Sequence, residues 1–191
     1  MDEANAEWEA WQFPTANNPY IPPAEIEAAR RGSPERIFAQ EYLAEFLEDA
    51  GGVFRRVMAA ATAEERNEPE PGHSYAFGVD WGQQHDFTAI VVIDIEQKKA
   101  VHLDRFRQID YVVQSNRLKA LYERFRPVTV IAEQNSIGLP VIERLVRDGI
   151  RVQPFHTSNA SKMEAVDALA LAFERGDLQI INDPVLIGEL Q

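Results

Sequence analysis

The stretch that decides the fold is residues 75–95, which read YAFGVDWGQQHDFTAIVVIDI. It contains two runs rich in β-branched and aromatic residues around a polar turn, and a second short polar turn follows it. The pattern predicts three strands, at 75–81, 87–95 and 100–107. Because strands joined by such short turns pair antiparallel, this part of the chain is expected to form an antiparallel meander.

After residue 107 the chain alternates between helical and strand patterns. The predicted helices are 110–125, 139–147 and 162–174, and the predicted strands are 128–133, 151–155 and 178–181. In the first of these helices the apolar residues expected to face the core are Val113, Leu118, Leu121 and Phe125. Three antiparallel strands followed by parallel strands, with helices on both faces, is the order of a ribonuclease-H-like α/β fold. This order does not fix the chemistry, because one fold supports many functions.

Residues 1–72 differ in composition from residues 73–191, and we expect a helical N-terminal extension before the α/β domain. Pro23 starts one predicted helix, which ends at Gly32. Ser33 caps a second helix that is predicted to run to Gly51. The charged residues 64–72, with two prolines, indicate a surface linker.

Composition excludes several classes of protein. The chain contains no cysteine, so it can form neither a disulfide framework nor a thiolate metal site. The densest apolar run, 89–93, is far shorter than the roughly 20 residues of a membrane span. The N-terminus lacks a secretory signal, so a cytoplasmic protein that is neither secreted nor in a membrane is expected. The net charge of −12 comes mainly from residues 1–72 and neither supports nor excludes a phosphate-binding surface.

Two acidic residues end two of the predicted strands. Asp80 closes the first strand and Glu133 closes the fourth, and in this fold order those strands are neighbours. The carboxylates then repel each other unless a cation or a proton lies between them. Oxygen ligands favour Mg²⁺ or Mn²⁺, and two such ions about 4 Å apart can promote phosphodiester hydrolysis. The alternative interpretation is a solvated strand end.

Other polar residues near these strand ends are weaker candidates. Asp86 is either an auxiliary carboxylate at the metal site or an ordinary turn residue. Asn135 and Ser136 either contact a substrate phosphate or only begin the next helix. Lys162, which enters a helix after a polar loop, is a candidate for substrate binding. Further bases could follow a DNA backbone or simply be solvated: Arg105, Arg107, Arg117, Lys119, Arg124, Arg126, Arg144, Arg147 and Arg151.

The two motifs around the acidic residues resemble those of a known family. Residues 75–89 resemble the first nuclease motif of the large terminase subunit of tailed bacteriophages, and residues 130–138 resemble the second. Trp11 and residues 18–21 and 38–46 resemble the segment that joins the packaging ATPase to the nuclease. The resemblance covers about residues 8–190.

This resemblance implies a two-metal endonuclease that cuts concatemeric double-stranded viral DNA. Asp80 would bridge both metal ions, Glu133 would hold one, and Asp86 matches a further acid. The implied partners are DNA, the terminase ATPase domain, the small terminase subunit and the portal protein. The family's third metal-binding acid lies beyond Gln191, and there is no P-loop motif. We therefore expect a nuclease domain truncated at its C-terminus and separated from its ATPase.

Two other functions compete with the nuclease. Residues 78–82, followed by Thr88, imitate the phosphate-binding hairpin of actin-like or sugar-kinase ATPases, but no second glycine-rich loop is present. The missing third acid, together with the acidic segment that carries Trp8, Trp11 and Phe13, would also suit a non-catalytic docking fragment of a packaging motor.

Overall fold

The centre of the protein is a five-stranded mixed sheet. The computed structural model describes residues 11–46, 52–82, 86–107, 110–135 and 138–191. The strands lie in the order β3-β2-β1-β4-β5. Their bounds are β1 Tyr75–Asp80, β2 Phe87–Asp94, β3 Lys99–Arg107, β4 Thr129–Glu133 and β5 Gln153–Phe155. The first three strands pair antiparallel, whereas β4 runs parallel to both β1 and β5, which confirms the predicted mixed sheet.

The main core lies between one face of the sheet and two helices, α4 (Tyr111–Phe125) and α5 (Gly138–Arg147). Alternate residues of β1, β2 and β4 point into this core, and they include Phe77, Val79, Ile90, Val92, Val130 and Ala132. Because side chains alternate along a strand, Asp80 and Glu133 lie on the opposite face.

The opposite face is only partly covered. Helix α6 (Asn159–Arg175) packs there with the short helices α3 (Val57–Ala60) and α7 (Pro184–Leu190). A second apolar cluster joins these helices to the sheet: Val57, Ala60, Ala100, Phe173, Ile180 and Ile187. Helices therefore lie on both faces, as predicted. None of the helices in the described ranges has the length and apolarity that crossing a bilayer requires.

The N-terminal extension contains α1 (Pro23–Gly32) and α2 (Glu35–Tyr42). The second helix is shorter than predicted. The Leu43 N–H bonds back to the Phe38 carbonyl, and Ala44 has a left-handed φ of 53°, so the helix ends there. Residues 47–51, where the sequence predicts the helix end, lie outside the described residues.

Two further expectations are wrong in detail. Val113, predicted to be buried, is 44% exposed, whereas Gln114 is buried. The cause is a polar chain in which Thr88 Oγ1 donates to Gln114 Oε1 and accepts from the Gly82 N–H. Residues 178–181 form isolated bridges, to Lys99 and Ala63, rather than a strand of the sheet.

A buried charge cluster holds the segment before β1 against the sheet. Asp94, at the end of β2, is fully buried and accepts hydrogen bonds from Arg66 Nη1 (3.0 Å) and the Gln97 N–H (2.9 Å). His73 Nδ1 lies 2.7 Å from Asp94 Oδ2, and Arg66 also bonds to Glu70. The acidic groups here are already neutralised by Arg66 and His73, so we interpret the cluster as structural.

We predict that Asp94→Asn lowers the free energy of unfolding by about 3 kcal/mol, because it leaves the partly buried Arg66 and His73 without their buried counter-charge. Urea denaturation at pH 7 measures this loss. The control is Asp177→Asn, which changes an exposed acid after α6 and should alter stability by less than about 0.5 kcal/mol. Equal stability of the two variants would contradict the structural role of Asp94.

The same cluster predicts a pH dependence of stability. The hydrogen bond to Asp94, aided by the charges of Asp94, Glu70 and Glu96, raises the pKa of His73 above its ordinary 6.5. Burial alone would raise the pKa of Asp94, but its bonds from His73 and Gln97 and the charge of Arg66 hold it below the usual range. The contribution of His73 is therefore complete below pH 6.5 and disappears as the pH rises through its raised folded-state pKa.

We expect the stability difference between the native chain and His73→Gln to shrink as the pH rises from 6 to 9. Urea midpoints across that range measure this difference. His156→Gln serves as the control, since no described ion pair involves its ring. A difference that stays constant with pH would show that the charged form of His73 does not stabilise the fold.

Candidate metal centre

The pairing of β1 with β4 sets Asp80 beside Glu133. Val79 is opposite Ala132 in this parallel pair, so the next residue of each strand stands at the same level on the open face of the sheet. The two carboxyl groups are close enough to share a hydrogen bond when one of them is protonated. The structure thus brings together the two acids that the sequence suggested as neighbours.

The environment of Asp80 raises its affinity for protons. Burial, then the hydrogen bond and negative charge of Glu133, raise the pKa of Asp80 to about 6, and the charge of Asp86 adds to the effect. A bond from the Trp81 N–H acts in the opposite direction but is weaker. Above pH 6 the pair therefore holds negative charge that the neighbouring main chain does not offset.

A cleft of about 770 Å³ opens between this face of the sheet and α6. Asp80 and Glu133 line it together with apolar floor residues and one side of the helix: Gly78, Ala89, Val91, Ile131, Ala165, Val166 and Leu169. Lys162 also lines the cleft and is exposed. Among the lining residues described, Lys162 carries the positive charge, so two carboxylates and one ammonium group share this space.

Two glycines fix the loops beside the acids. A Cβ at Gly138 would overlap the main-chain carbonyl of Glu133 and lie 3.2 Å from Trp81 Cδ1, so the first residue of α5 can pack against the end of β4 only as glycine. A Cβ at Gly82 would lie 2.6 Å from the Thr88 nitrogen, within the turn that follows Asp80. Larger residues at either position would displace the strand ends that carry the carboxylates.

The remaining predicted residues take different positions. Asp86 is exposed just before β2, where its charge reaches Asp80. Asn135 Nδ2 donates to the Thr157 carbonyl at 2.8 Å, which ties the loop after β4 to the loop before α6. Its Oδ1 is buried without a hydrogen-bond partner. Ser136 lies outside the described residues.

Sequence reasoning missed Phe155 and Thr157, which also line the cleft. Phe155 ends a strand of only three residues that contains a proline, and Thr157 lies just after it. Such a short segment has no periodicity from which to infer that it lines a site. Their position becomes clear only from the pairing of Glu133 with Phe155.

The donor set fits a divalent cation. Asp80 and Glu133 present hard carboxylate oxygens side by side in an open cleft, and their mutual repulsion is what a bound cation would relieve. The described residues supply no thiolate or paired imidazoles in this cleft, so the ligands favour metals that bind oxygen.

The fold and the carboxylate pair define the class of protein. Strand order 3-2-1-4-5, with acids ending β1 and β4, is that of a ribonuclease-H-like domain. Residues 77–190 match the family model described as the terminase RNaseH-like domain, and the chain belongs to this family. The resemblance inferred from the two sequence motifs is therefore confirmed.

Individual relatives agree with this assignment. The large terminase subunit of Thermus virus P23-45 is 30% identical over 167 residues, which is 83% of this chain and 34% of that protein. The chain thus spans about a third of the length of this relative. The large terminase nuclease of thermophilic phage G20c is 26% identical with a TM-score of 0.67, covering 73% of this chain and 79% of that one. Its magnesium-bound structure gives a TM-score of 0.68 at 26% identity, covering 75% and 80%, and other structures of it contain zinc or cobalt.

We predict that Asp80→Asn stabilises the metal-free protein at pH 8. Removing the charge relieves the repulsion, and after allowance for solvent screening we expect a gain of about 1 kcal/mol. The pKa of Asp80 is raised in the folded state, so the native chain loses stability as the pH rises from 3.8 through about 6. The gain in stability from Asp80→Asn should therefore vanish near pH 4.

Urea midpoints with EDTA present, at pH 4.5 and pH 8, measure this effect, and Asp177→Asn is again the matched acid-to-amide control. A loss of stability at pH 8 in Asp80→Asn would mean that the carboxylate is held by favourable contacts, which contradicts the repulsive pair.

Proposed function

We propose that this chain is the nuclease domain of a phage DNA-packaging terminase, which hydrolyses concatemeric double-stranded viral DNA. The observation that carries the proposal is the pair formed by Asp80 and Glu133 in an open cleft, in a chain that belongs to the terminase RNaseH-like family. The family match favours this function over the ATPase alternative drawn from residues 78–82.

In this proposal Asp80 and Glu133 would hold two divalent ions, Asp80 as a ligand of both and Glu133 as a ligand of one, and Asp86 would add negative charge nearby. The ions, when bound, supply Lewis-acid stabilisation of the attacking and leaving oxygens. Magnesium or manganese is the proposed metal, because both prefer carboxylate ligands. A related nuclease crystallised with bound magnesium is consistent with that choice.

Lys162 is the proposed contact for a substrate phosphate within the cleft. Its exposed ammonium group shares the cleft with the two acids, where it can offset their repulsion of a DNA backbone. Asn135 is a second proposed contact, because its Nδ2 group has a second N–H besides the one donated to the Thr157 carbonyl, and this N–H can donate to a phosphate oxygen. Ser136, the next residue in the chain, is proposed to act beside it.

The proposed partners are double-stranded DNA, the terminase ATPase domain, the small terminase subunit and the portal protein, in the cytoplasm of an infected bacterium. Residues 1–72 would form the extension toward the ATPase domain, and residues 73–191 would form the nuclease domain. Three exposed aromatic residues in the extension support a docking role: Trp11 (65% exposed), Phe13 (70%) and Tyr20 (92%).

We expect the chain to bind Mn²⁺ and to nick supercoiled plasmid when Mn²⁺ is present. Asp80→Asn and Glu133→Gln should each lower the nicking rate by about 100-fold or more, because each removes a metal ligand. Calorimetric titration with Mn²⁺ gives a readout independent of cleavage, and both variants should bind the ion more weakly. Asp177→Asn should match the native chain in both measurements.

Failure of the native chain to bind Mn²⁺ would contradict the metal centre itself. Metal binding without cleavage, in this chain and in one extended past Gln191, would instead favour the non-catalytic docking fragment.

A further inference from the structure

Two arginines stand beside the metal centre on the same face of the sheet. Asp80 pairs with Ala89, and Ala89 pairs with Arg105 on the next strand. Residues directly opposite each other on antiparallel strands share a face, so these three lie in one row. Phe87 and Arg107 form the adjacent row. With strands about 4.8 Å apart, β3 lies about 10 Å from β1.

Both guanidinium groups lie against one aromatic ring. The Cζ atom of Arg105 is 3.4 Å from the centroid of the Phe87 ring, and that of Arg107 is 5.2 Å away. Stacking on a ring face limits the freedom of a guanidinium group while leaving its N–H edge available. Phe87 thus holds two hydrogen-bond donors on the open face.

The two arginines differ in their other contacts. Arg105 Nη2 bonds to Glu189 Oε1 of α7 at 2.6 Å, so part of its charge is already neutralised. Arg107 is exposed, and within the described ranges it takes part in no ion pair. Arg107 is therefore the stronger candidate for an external anion.

We propose that Arg107 and Arg105, positioned by Phe87, bind the phosphate backbone of the DNA strand that enters the Asp80–Glu133 centre. This proposal rests on the proposed function and identifies the surface that presents the substrate. The acids near the centre repel a polyanion, so cations beside them must offset that repulsion. A guanidinium fork suits a phosphodiester, which it can bind through two parallel hydrogen bonds.

The path of the strand follows from these positions. The arginines project from β3 on one side of the acid pair, whereas Lys162 lines the cleft from α6. A DNA strand lying across the sheet from β3 toward α6 would meet cations on both sides of the bond to be cut. An acidic protein partner could use the arginines but would gain nothing from this alignment with the metal centre.

The test is fluorescence anisotropy of the full 191-residue chain with a labelled DNA duplex, in Ca²⁺ and at several NaCl concentrations. Arg107→Ala should weaken binding about fivefold at low salt and reduce the slope of log Kd against log salt by about 0.9, the value for one lost phosphate contact. Arg105→Ala should have a smaller effect because of Glu189. Arg36→Ala, which removes an exposed arginine of α2 in the N-terminal extension, is the matched control and should bind like the native chain.

A further variant tests the role of Phe87. Phe87→Leu should weaken DNA binding in the native chain but add nothing when both arginines are already alanine, since its role is to position them. Circular dichroism checks that each variant is folded, and the Mn²⁺ affinity of Arg107→Ala should equal that of the native chain.

The proposal is overturned if Arg107→Ala keeps the native affinity and salt slope, or if Arg36→Ala loses as much. It is also overturned if the native chain binds no DNA. The chain could also bind DNA through Arg107 and yet neither bind Mn²⁺ nor nick plasmid. That result would support the arginine surface and contradict the proposed nuclease function, so failure of one proposal can be told from failure of the other.

Discussion

The candidate metal centre of this protein depends on the parallel pairing of β1 with β4. That pairing places two carboxylates side by side where main-chain neighbours do little to offset their charge. Burial, together with the adjacent Glu133, raises the pKa of Asp80 to about 6. The fold must hold this repulsive arrangement by other means. It does so with an apolar core under β1 and β4, and with glycines at 82 and 138, where the main chain comes too close to Thr88 and Glu133 for a Cβ to fit.

Two aspartates at opposite ends of the sheet have opposite electrostatic environments. Asp94, at the end of β2, is fully buried but receives hydrogen bonds from Arg66, His73 and the Gln97 N–H. Asp80, at the end of β1, faces another acid instead. A buried acid with internal partners stabilises a fold, whereas an acid left beside a second acid destabilises the empty site and gains from an external cation. The environment, rather than the residue type, separates a structural carboxylate from a candidate metal ligand.

Much of this arrangement could be predicted from the sequence because it depends on local patterns. Apolar strands that each end in an acid indicated Asp80 and Glu133 before their pairing was known. Features that depend on tertiary contacts could not be predicted from the sequence in the same way. Gln114 is buried in place of Val113 because it meets Thr88, a residue 26 positions away. The stacking of Arg105 and Arg107 on Phe87 depends on strand register, which periodicity alone does not give.

The whole-chain charge of −12 would by itself suggest a protein that avoids DNA. Binding to a backbone depends on the local field, because charges farther away than about 8–10 Å are largely screened at physiological salt. On the open face, Lys162, Arg105 and Arg107 lie near the acid pair, while most of the surplus acid belongs to residues 1–72. Divalent ions at the acid pair would shift the balance of this face further toward positive charge. DNA affinity and metal occupancy should then be coupled through electrostatics, even though they use different side chains.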